Sequence, residues 1–549
     1  MNYSRNLLIA QHLIFGLFYS FQLTAARPRL TVIFVIDQFA HHYIEKLHPH
    51  FTGAFKMLLL NGIVYHNAHH PHAMPATATG HAALNTGAFA CDHGIVGNGW
   101  FNKSGKLVKA EDDTASSTAV FNPRTNTVYP YGKSSHHLMV DGISDQMILN
   151  NQTTQPTHVL SVALKSRAAI FTAGKLGTPF WFDEKTGAFT SSKAYMPKLP
   201  DWVTRFNKHF LTPAITQVHW QRAYPALSAA YQFKHCNNYT YASHSSIIDT
   251  TIVSDDNKKE DFELLQATPF ANKLLLGFAF QGIANALAKN PETHLLVWIN
   301  LSSLDKIGHL FGPFAAETID MIYHLDKQID EFIKKINTLV PAQETVVVVT
   351  ADHGVAPLPE LLQEDGLPAA KRILFKELFD DVERTIAQKF NLPLPCMKFK
   401  VPWIYVDNQI LATLSPRMQR NVFKEIQKLL HKKPGIKKIW VSKQLETASY
   451  NKRSRERYFK NQLFPERSGH ITIQTFPHTA FYTHTTGAAH RTPYEYDTHV
   501  PLILYQQGVL EKKSIHTPVW TLQLANTLAD ILKIQHPSTA ILPLLPNKH

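Results

Sequence analysis

The chain has 549 residues, 44% hydrophobic and 11% aromatic, with 55 Lys and Arg against 42 Asp and Glu, a formal charge of +13. That composition holds enough apolar material for a sizeable core, so disorder is not the default, and the length allows roughly two to four domains or one large α/β domain with insertions. The positive balance favours anionic substrates or surfaces. With the Lys and Arg scattered and no recognition fold legible, it does not point to nucleic acid.

The N-terminus, MNYSRNLLIAQHLIFGLFYSFQLTAARP, sets Arg5 before a mostly apolar run, Leu7 to Leu23, that exits through Thr24-Ala25-Ala26. Gln11 and His12 interrupt the run, so 1–26 reads as a secretory signal peptide rather than a spanning helix, with an uncleaved anchor as the alternative. No later stretch is long and apolar enough to cross a bilayer. The remainder, 27–549, is expected outside the cytoplasm, periplasmic or secreted.

Leu30 to Ile36 (LTVIFVI) is apolar on both faces, as in a buried parallel strand, and Asp37 stands at its carboxyl end, where ligands gather in open α/β sheets. Met74 to Trp100, MPATATGHAALNTGAFACDHGIVGNGW, offers Thr77 or Thr79 as a hydroxyl nucleophile. A short helix over HAALNTGAFA would set its N-terminus beside Thr77, an anion-binding arrangement. The plain alternative is a Thr N-cap followed by a loop. His158 to Ala163 reads as a strand leading to Lys165-Ser166-Arg167, and 179–192 as a hairpin turning near Lys185 to Gly187. From there to about 265 the chain has no clear period and reads as an insertion covering the site.

Phe270 to Leu287 reads as a buried helix and His294 to Leu301 as a strand followed by Asp305 and His309. A helix over 315–340 carries Ile319, Ile322, Leu325, Ile329, Phe332, Ile333 and Ile336 at three- and four-residue steps. Thr345 to Thr350 (TVVVVT) is the next strand, ending in Ala351-Asp352-His353-Gly354. Residues 357–470 read as a second insertion with two helical stretches, the strand-like WIYV and a basic run, KRSRER at 452–457, taken as a solvated loop. His470 to Thr475 and Val500 to Tyr505 regain strand character, and a helix lies near 521–532. Strands alternating with helices predict an α/β fold, a mostly parallel central sheet flanked by helices with inserted subdomains.

Three cysteines, Cys91, Cys236 and Cys396, allow at most one disulfide, and none has metal-site spacing to another. Among 31 histidines a lone His means little; His41-His42, His69-His70-His72 and His136-His137 read as surface or loop residues. Asp305 and His309 share a helix face at i, i+4, so one oxygen and one nitrogen can meet a single ion, or simply pair. Asp92-His93-Gly94 repeats the tripeptide at Asp352 but follows no buried strand, so Asp92 and His93 are set aside. Asp37, Asp305 and Asp352 each stand just beyond an apolar strand, and in a parallel sheet these ends converge. Asp and His ligands, a hydroxyl nucleophile and the cations Lys165 and Arg167 together describe phosphoryl transfer.

DQ at Asp37, TATGHAALNTG, GNGW, KSR, DKIGH, TADHG and HRTPYEYDTHVPL follow the order and spacing of the alkaline phosphatase superfamily. The chain most resembles its PafA-type, phosphate-irrepressible phosphomonoesterases and, more distantly, the nucleotide pyrophosphatase/phosphodiesterases. The resemblance covers nearly all of 27–549 and implies an alkaline-phosphatase-like catalytic domain. It implies Thr77, four residues before His81, as nucleophile. It implies one zinc held by Asp37, Asp352, His353 and the Thr77 oxygen, and a second by Asp305, His309 and His490. His490 is placed by its distance from YEYDTH, with His484 and His499 as its rivals. Asn98 of GNGW would donate to a phosphoryl oxygen, and Lys165 and Arg167 would contact the others. Two departures bear on the substrate pocket. The nucleophile segment reads Thr-Ala-Thr-Gly-His where Thr-Gly-Pro-Gly-His is frequent, and Arg491 follows His490 where small residues are usual.

The expected activity is hydrolysis of small phosphate monoesters through a phosphothreonine at a two-zinc site. The alternatives are a phosphodiesterase or nucleotide pyrophosphatase on the same metal core, and a non-catalytic histidine-rich metal-binding protein. A formylglycine sulfatase is disfavoured, since Cys91-Asp92-His93-Gly94-Ile95 lacks the Cys-x-Pro-x-Arg context.

Overall fold

Every residue of strand β1 (Leu30–Ile36) is buried, as its apolar run requires. The computed structural model describes residues 27–125, 127–150, 156–211, 217–253 and 259–547; the expected signal segment lies outside them. With β2 (Ile63–Tyr65), β3 (Thr157–Ala163), β4 (Thr178–Asp183), β5 (Ala188–Thr190), β6 (His294–Leu301), β7 (Thr345–Thr350), β8 (Leu502–Tyr505) and β9 (Lys513–Ile515), β1 builds a nine-stranded sheet. The order is β5-β4-β3-β6-β1-β7-β8-β2-β9. From β4 to β7 the neighbours are parallel.

The strand expected at Val500 to Tyr505 departs from the parallel pattern. Pro501 breaks it, so that His499–Val500 pairs with Ala68–His69 in a separate small sheet, while β8 runs antiparallel to β7. The reason is topological. After β7 the chain makes its excursion at the carboxyl ends of the parallel strands and re-enters from that side, without the crossover a parallel strand needs.

The helices that matter for the site are α1 (Thr77–Thr86), α2 (Ser166–Ala173), α3 (Pro269–Lys289), α4 (Ser303–Phe311), α5 (Ala316–Ile336) and α6 (Gln523–Leu532). Alternation along β1 divides the core. Val32, Phe34 and Ile36 join the cluster that holds α3 and α5, whereas Ile33 and Val35 join Leu524, Leu528 and Leu532 of α6. The seven apolar positions of the α5 stripe are all buried.

A second, four-stranded antiparallel sheet comprises Met397–Lys400, Trp403–Val406, Ile471–Thr475 and Ile436–Val441. Helices Phe375–Phe390 and Pro416–His431 cover it, and Val382, Ile386, Val422 and Ile426 pack on Ile404, Ile471 and Ile473. The basic run at 452–457 is only partly loop. Ser454 accepts a hydrogen bond from Arg457 N and starts a short helix, Arg455–Lys460. All three cysteines are free. Among the described residues no helix is long and apolar enough to cross a membrane.

Candidate active site

Three carboxylates meet at the carboxyl end of the parallel strands. Asp37 follows β1, Asp352 lies two residues beyond β7, and Asp305 sits in the first turn of α4, just after β6. His309 lies one turn along α4, its Nε2 3.2 Å from Asp305 Oδ1. His353 Nε2 is 3.2 Å from Asp37 Oδ1 and 3.4 Å from Asp352 Oδ2. His490 Nε2 is 3.9 Å from Asp305 Oδ1, and its ring stacks on His353 with centroids 3.7 Å apart. His484 is exposed, and His499 stacks instead on His41 and His69.

The three histidines are oriented by the backbone. His309 Nδ1 is 2.9 Å from Ala488 O, His353 Nδ1 2.9 Å from Gly354 O, and His490 Nδ1 3.0 Å from Pro75 O. Since a carbonyl can only accept, each Nδ1 donates, and each Nε2 is left facing the carboxylates, where it can take a metal ion or a proton. Asp37 Oδ1, Asp352 Oδ2 and His353 Nε2 are buried without a hydrogen bond. Ligand atoms of Asp305, His309 and His490 lie within 4.8 Å of one another, as do those of Asp37, Asp305 and His353. Orphaned buried acceptors converging from Asp and His fit divalent metal, and the nitrogen–oxygen donor set suits zinc.

The electrostatics reflect this crowding. Burial, with Asp305 and Asp352 nearby, raises the Asp37 carboxyl above its ordinary value. Burial opposes ionisation of Asp305 and Asp352 too, but Lys165 and His309 hold the first well below the usual range and His353 and His81 lower the second. Burial disfavours a charged His353, yet Asp352 and Asp37 outweigh it and push the ring up to about 9.

Ala76, not Thr77, is the N-cap of α1, and no side chain caps the helix. Thr77 therefore occupies the first helical position, and its hydroxyl makes no hydrogen bond among the described residues. Thr79 Oγ1 is sealed inside without a partner. The first turn of α1 presses directly on Asp352: a Cβ on Gly80 would meet the Asp352 carbonyl oxygen, and Asp352 Cβ at 2.7 Å. Asn98 Oδ1 accepts from Ala78 N at 2.8 Å, which leaves the Asn98 NH2 directed away from the helix backbone.

Lys165 Nζ donates to Asp37 Oδ2 at 2.5 Å and to Asp305 Oδ2. It thus ties together two expected metal ligands. Arg167, in the first turn of α2, has a buried Nε without a partner and makes no hydrogen bond or ion pair among the described residues. Asn98, Lys165 and Arg167 line one cleft of about 1120 Å³.

Several supporting residues carry no distinguishing sequence signal. Gln38, quoted only as part of DQ, adopts φ +70°, donates Nε2 to Asp305 Oδ1 at 2.9 Å, and donates its backbone N–H to Asp352 Oδ1 at 3.2 Å. His81, used as a motif marker, lies 2.7 Å from Thr77 O and 3.4 Å from Asp352 Oδ2. Asp497 of YEYDTH accepts from Thr492 N and Thr492 Oγ1 at 2.8 and 2.7 Å, pinning the loop that bears His490. His41, His70 and His72, expected at the surface, are buried. The fold supplies their partners: His70 Nε2 donates to Ala351 O at 2.8 Å, and His72 Nε2 accepts from Ala90 N at 3.1 Å.

Residues 31–500 match the family described as type I phosphodiesterase / nucleotide pyrophosphatase. The chain belongs to that family, within the alkaline phosphatase superfamily, and is an enzyme of that class. Among individual relatives it is 28% identical over 542 residues to alkaline phosphatase PafA of Elizabethkingia meningoseptica, covering 94% of this chain and 93% of that one. It is 27% identical over 535 residues to alkaline phosphatase PhoV of Synechococcus elongatus, covering 95% and 93%. The crystal structure of wild-type PafA superimposes with a TM-score of 0.81 at 28% identity, covering 95% of this chain and 98% of the other.

Proposed function

We propose that the chain is a secreted, metal-dependent phosphomonoesterase that works through a phosphothreonine on Thr77. The observation that carries this reading is the convergence of two Asp/His ligand sets, sharing Asp305, beside Asp352, which lies 3.4 Å from His353 Nε2 and packs on the first turn of α1. Similarity to proteins named alkaline phosphatases supports phosphate-ester hydrolysis. Asp37, Asp352, His353 and Thr77 would hold one zinc, and Asp305, His309 and His490 the other. Two such ions supply Lewis-acid stabilisation of charge on oxygen and lower the pKa of a hydroxyl or water.

The chain's own groups account for the rest. Thr77 Oγ1 attacks phosphorus in line; the Oγ1–P bond forms as the ester P–O bond breaks and the alcohol departs. Water then attacks the phosphothreonine, the Oγ1–P bond breaks, and Thr77 and inorganic phosphate are restored. The free NH2 of Asn98 would donate to a non-bridging oxygen. Asp37 and Asp305 engage two of the three N–H donors of Lys165, which leaves one for substrate. Arg167 offers a planar fork with no hydrogen-bond partner among the described residues, although Glu111 lies within its electrostatic reach. A monoester dianion presents one more unsubstituted oxygen than a diester and gains more from these cations.

The test compares an aryl phosphate monoester with its diester, using wild type and Thr77→Ala with bound zinc quantified. Faster monoester turnover, with a loss of at least about a thousandfold in Thr77→Ala, is expected. Faster diester cleavage selects the phosphodiesterase reading, undiminished activity in Thr77→Ala removes Thr77 as nucleophile, and bound zinc without turnover leaves a metal-binding protein.

A further inference from the structure

Beyond Lys165 and Arg167, the same cleft is lined by Lys109 and by Lys400, the last residue of its strand in the second sheet. Arg491, half-buried and next to His490, lies within electrostatic reach of Arg167 and Lys400. Among the described residues, Lys109, Arg167, Lys400 and Arg491 make no hydrogen bond or ion pair through their side chains.

The nearby acids are mostly engaged elsewhere. Glu111 lies 3.4 Å from Lys133 and accepts from Ser166 Oγ at 3.2 Å; of the cleft cations it also feels Arg167, but neither Lys400 nor Arg491 is among the charges that act on it most. Asp113 accepts from Ser134, Asp183 from Tyr129 and Thr186, and Glu184 from Lys306. Arg491 feels Asp305 and Asp497, but Lys165 and Gln38 occupy the first and Thr492 the second.

Arg491 also adopts φ +90°, a region that non-glycine residues seldom enter. Its backbone N–H and the Thr492 N–H are both held by Asp497, so the surrounding loop enforces the strained conformation. Burial, together with Arg491, Arg167 and Lys109, lowers the affinity of the Lys400 ammonium for its proton. Half-buried cations that repel one another call for an anion from outside the chain.

We propose that Arg491 and Lys400, with Lys109 at the rim, form a second anion subsite beside the transferred phosphoryl group. The preferred substrates are then phosphate monoesters whose alcohol carries a second phosphate. This rests on the phosphomonoesterase reading, in which the Asp305, His309 and His490 set, and so Arg491, faces the departing alcohol. A guanidinium fork and an ammonium suit phosphate oxygens, bidentate from Arg and as a point charge from Lys.

The experiment compares propyl phosphate with propane-1,3-diol bisphosphate, by equilibrium binding to the full zinc-loaded chain carrying Thr77→Ala and by turnover in the Thr77 chain. Each background is made with Arg491→Gly, which suits the positive φ, and with Lys400→Met, which keeps the apolar stem. The bisphosphate is expected to bind at least about tenfold more tightly, with that preference falling to about threefold or less in either variant. Equal binding of the two esters, or a preference that survives both substitutions, overturns the subsite. If neither ester is turned over, the hydrolase reading fails while the binding comparison still decides the subsite.

Discussion

Gln38 reaches from the end of β1 to donate its side-chain amide to Asp305 Oδ1 at 2.9 Å, while its own backbone N–H donates to Asp352 Oδ1 at 3.2 Å. One residue thus steadies carboxylates from two other strand ends. Its left-handed φ of +70° aims both donors inward, and glycine at 308 leaves room, since a Cβ there would strike Gln38 Oε1. Gln38→Asn keeps a residue that tolerates this backbone but is too short to reach Asp305. Metal affinity is expected to fall about 10- to 100-fold, as for lost outer-shell partners elsewhere, read by zinc titration against a competing chelator.

Asn98→Asp separates the two jobs of that side chain. The carboxylate still accepts from Ala78 N, so α1 keeps its start, but a donor facing the substrate becomes an anion. Loss of one donor to a non-bridging oxygen predicts a drop in kcat of about a hundred- to a thousandfold. Unchanged thermal unfolding, measured alongside, shows that the loss is chemical.

Thr79→Val replaces an unpartnered, buried hydroxyl with a methyl of the same shape. Removing an orphaned polar group is neutral or stabilising, so the Tm is expected to hold or rise and activity to persist. Activity lost in Thr79→Val and retained in Thr77→Ala would exchange their roles.

Gly80→Ala tests the close approach of α1 to β7. The new methyl would meet Asp352 Cβ at 2.7 Å and the Asp352 carbonyl, neither of which can swing aside. Overpacking predicts a loss of about 1–3 kcal/mol in denaturant unfolding, with weaker metal binding because Asp352 must move.

Acid stability depends on the histidine stack away from the site. His41 stacks on His499 at 4.1 Å and His499 on His69 at 4.5 Å, with His66, His516, Glu45, Glu495 and Arg453 around them. Burial first, then neighbouring histidines, lower His41 and His69 to about 3. In the unfolded chain such rings titrate near 6.5, so between the two values the unfolded state binds more protons. The stabilisation is complete above pH 6.5 and is lost as pH falls toward 3. Thermal melts should show Tm constant near pH 8 and declining below about pH 6, less steeply in His69→Phe.

Local pattern carried much of this molecule. The apolar runs of β1, β6 and β7 could only be buried strands, and the stripe of α5 could only be a helix face. Asp305 and His309 were legible as a pair because four residues along one helix set their distance. Asp37 and Asp352 were legible as strand ends. The choice between Thr77 and Thr79 was not legible from residues alone, because both hydroxyls lie in one turn; the structure buries both residues, and the exchange of Thr79→Val against Thr77→Ala tests it. The burial of His41 and His70 was not legible, since the His499 ring, Ala351 O and Thr521 Oγ1 that meet them come from hundreds of residues away; His72 is met by Ala90 N, 18 residues on.

The sequence by itself determined which segments become strands and helices, and through order and spacing of motifs, which family the chain belongs to. Both follow from interactions a few residues in range. Only the tertiary structure decided that Lys165 bridges Asp37 and Asp305, that His490 stacks on His353, and that Lys400 of the second sheet lies within electrostatic reach of Arg491. Those relationships depend on how distant elements pack, and a packed interior sets distances that no local spacing records.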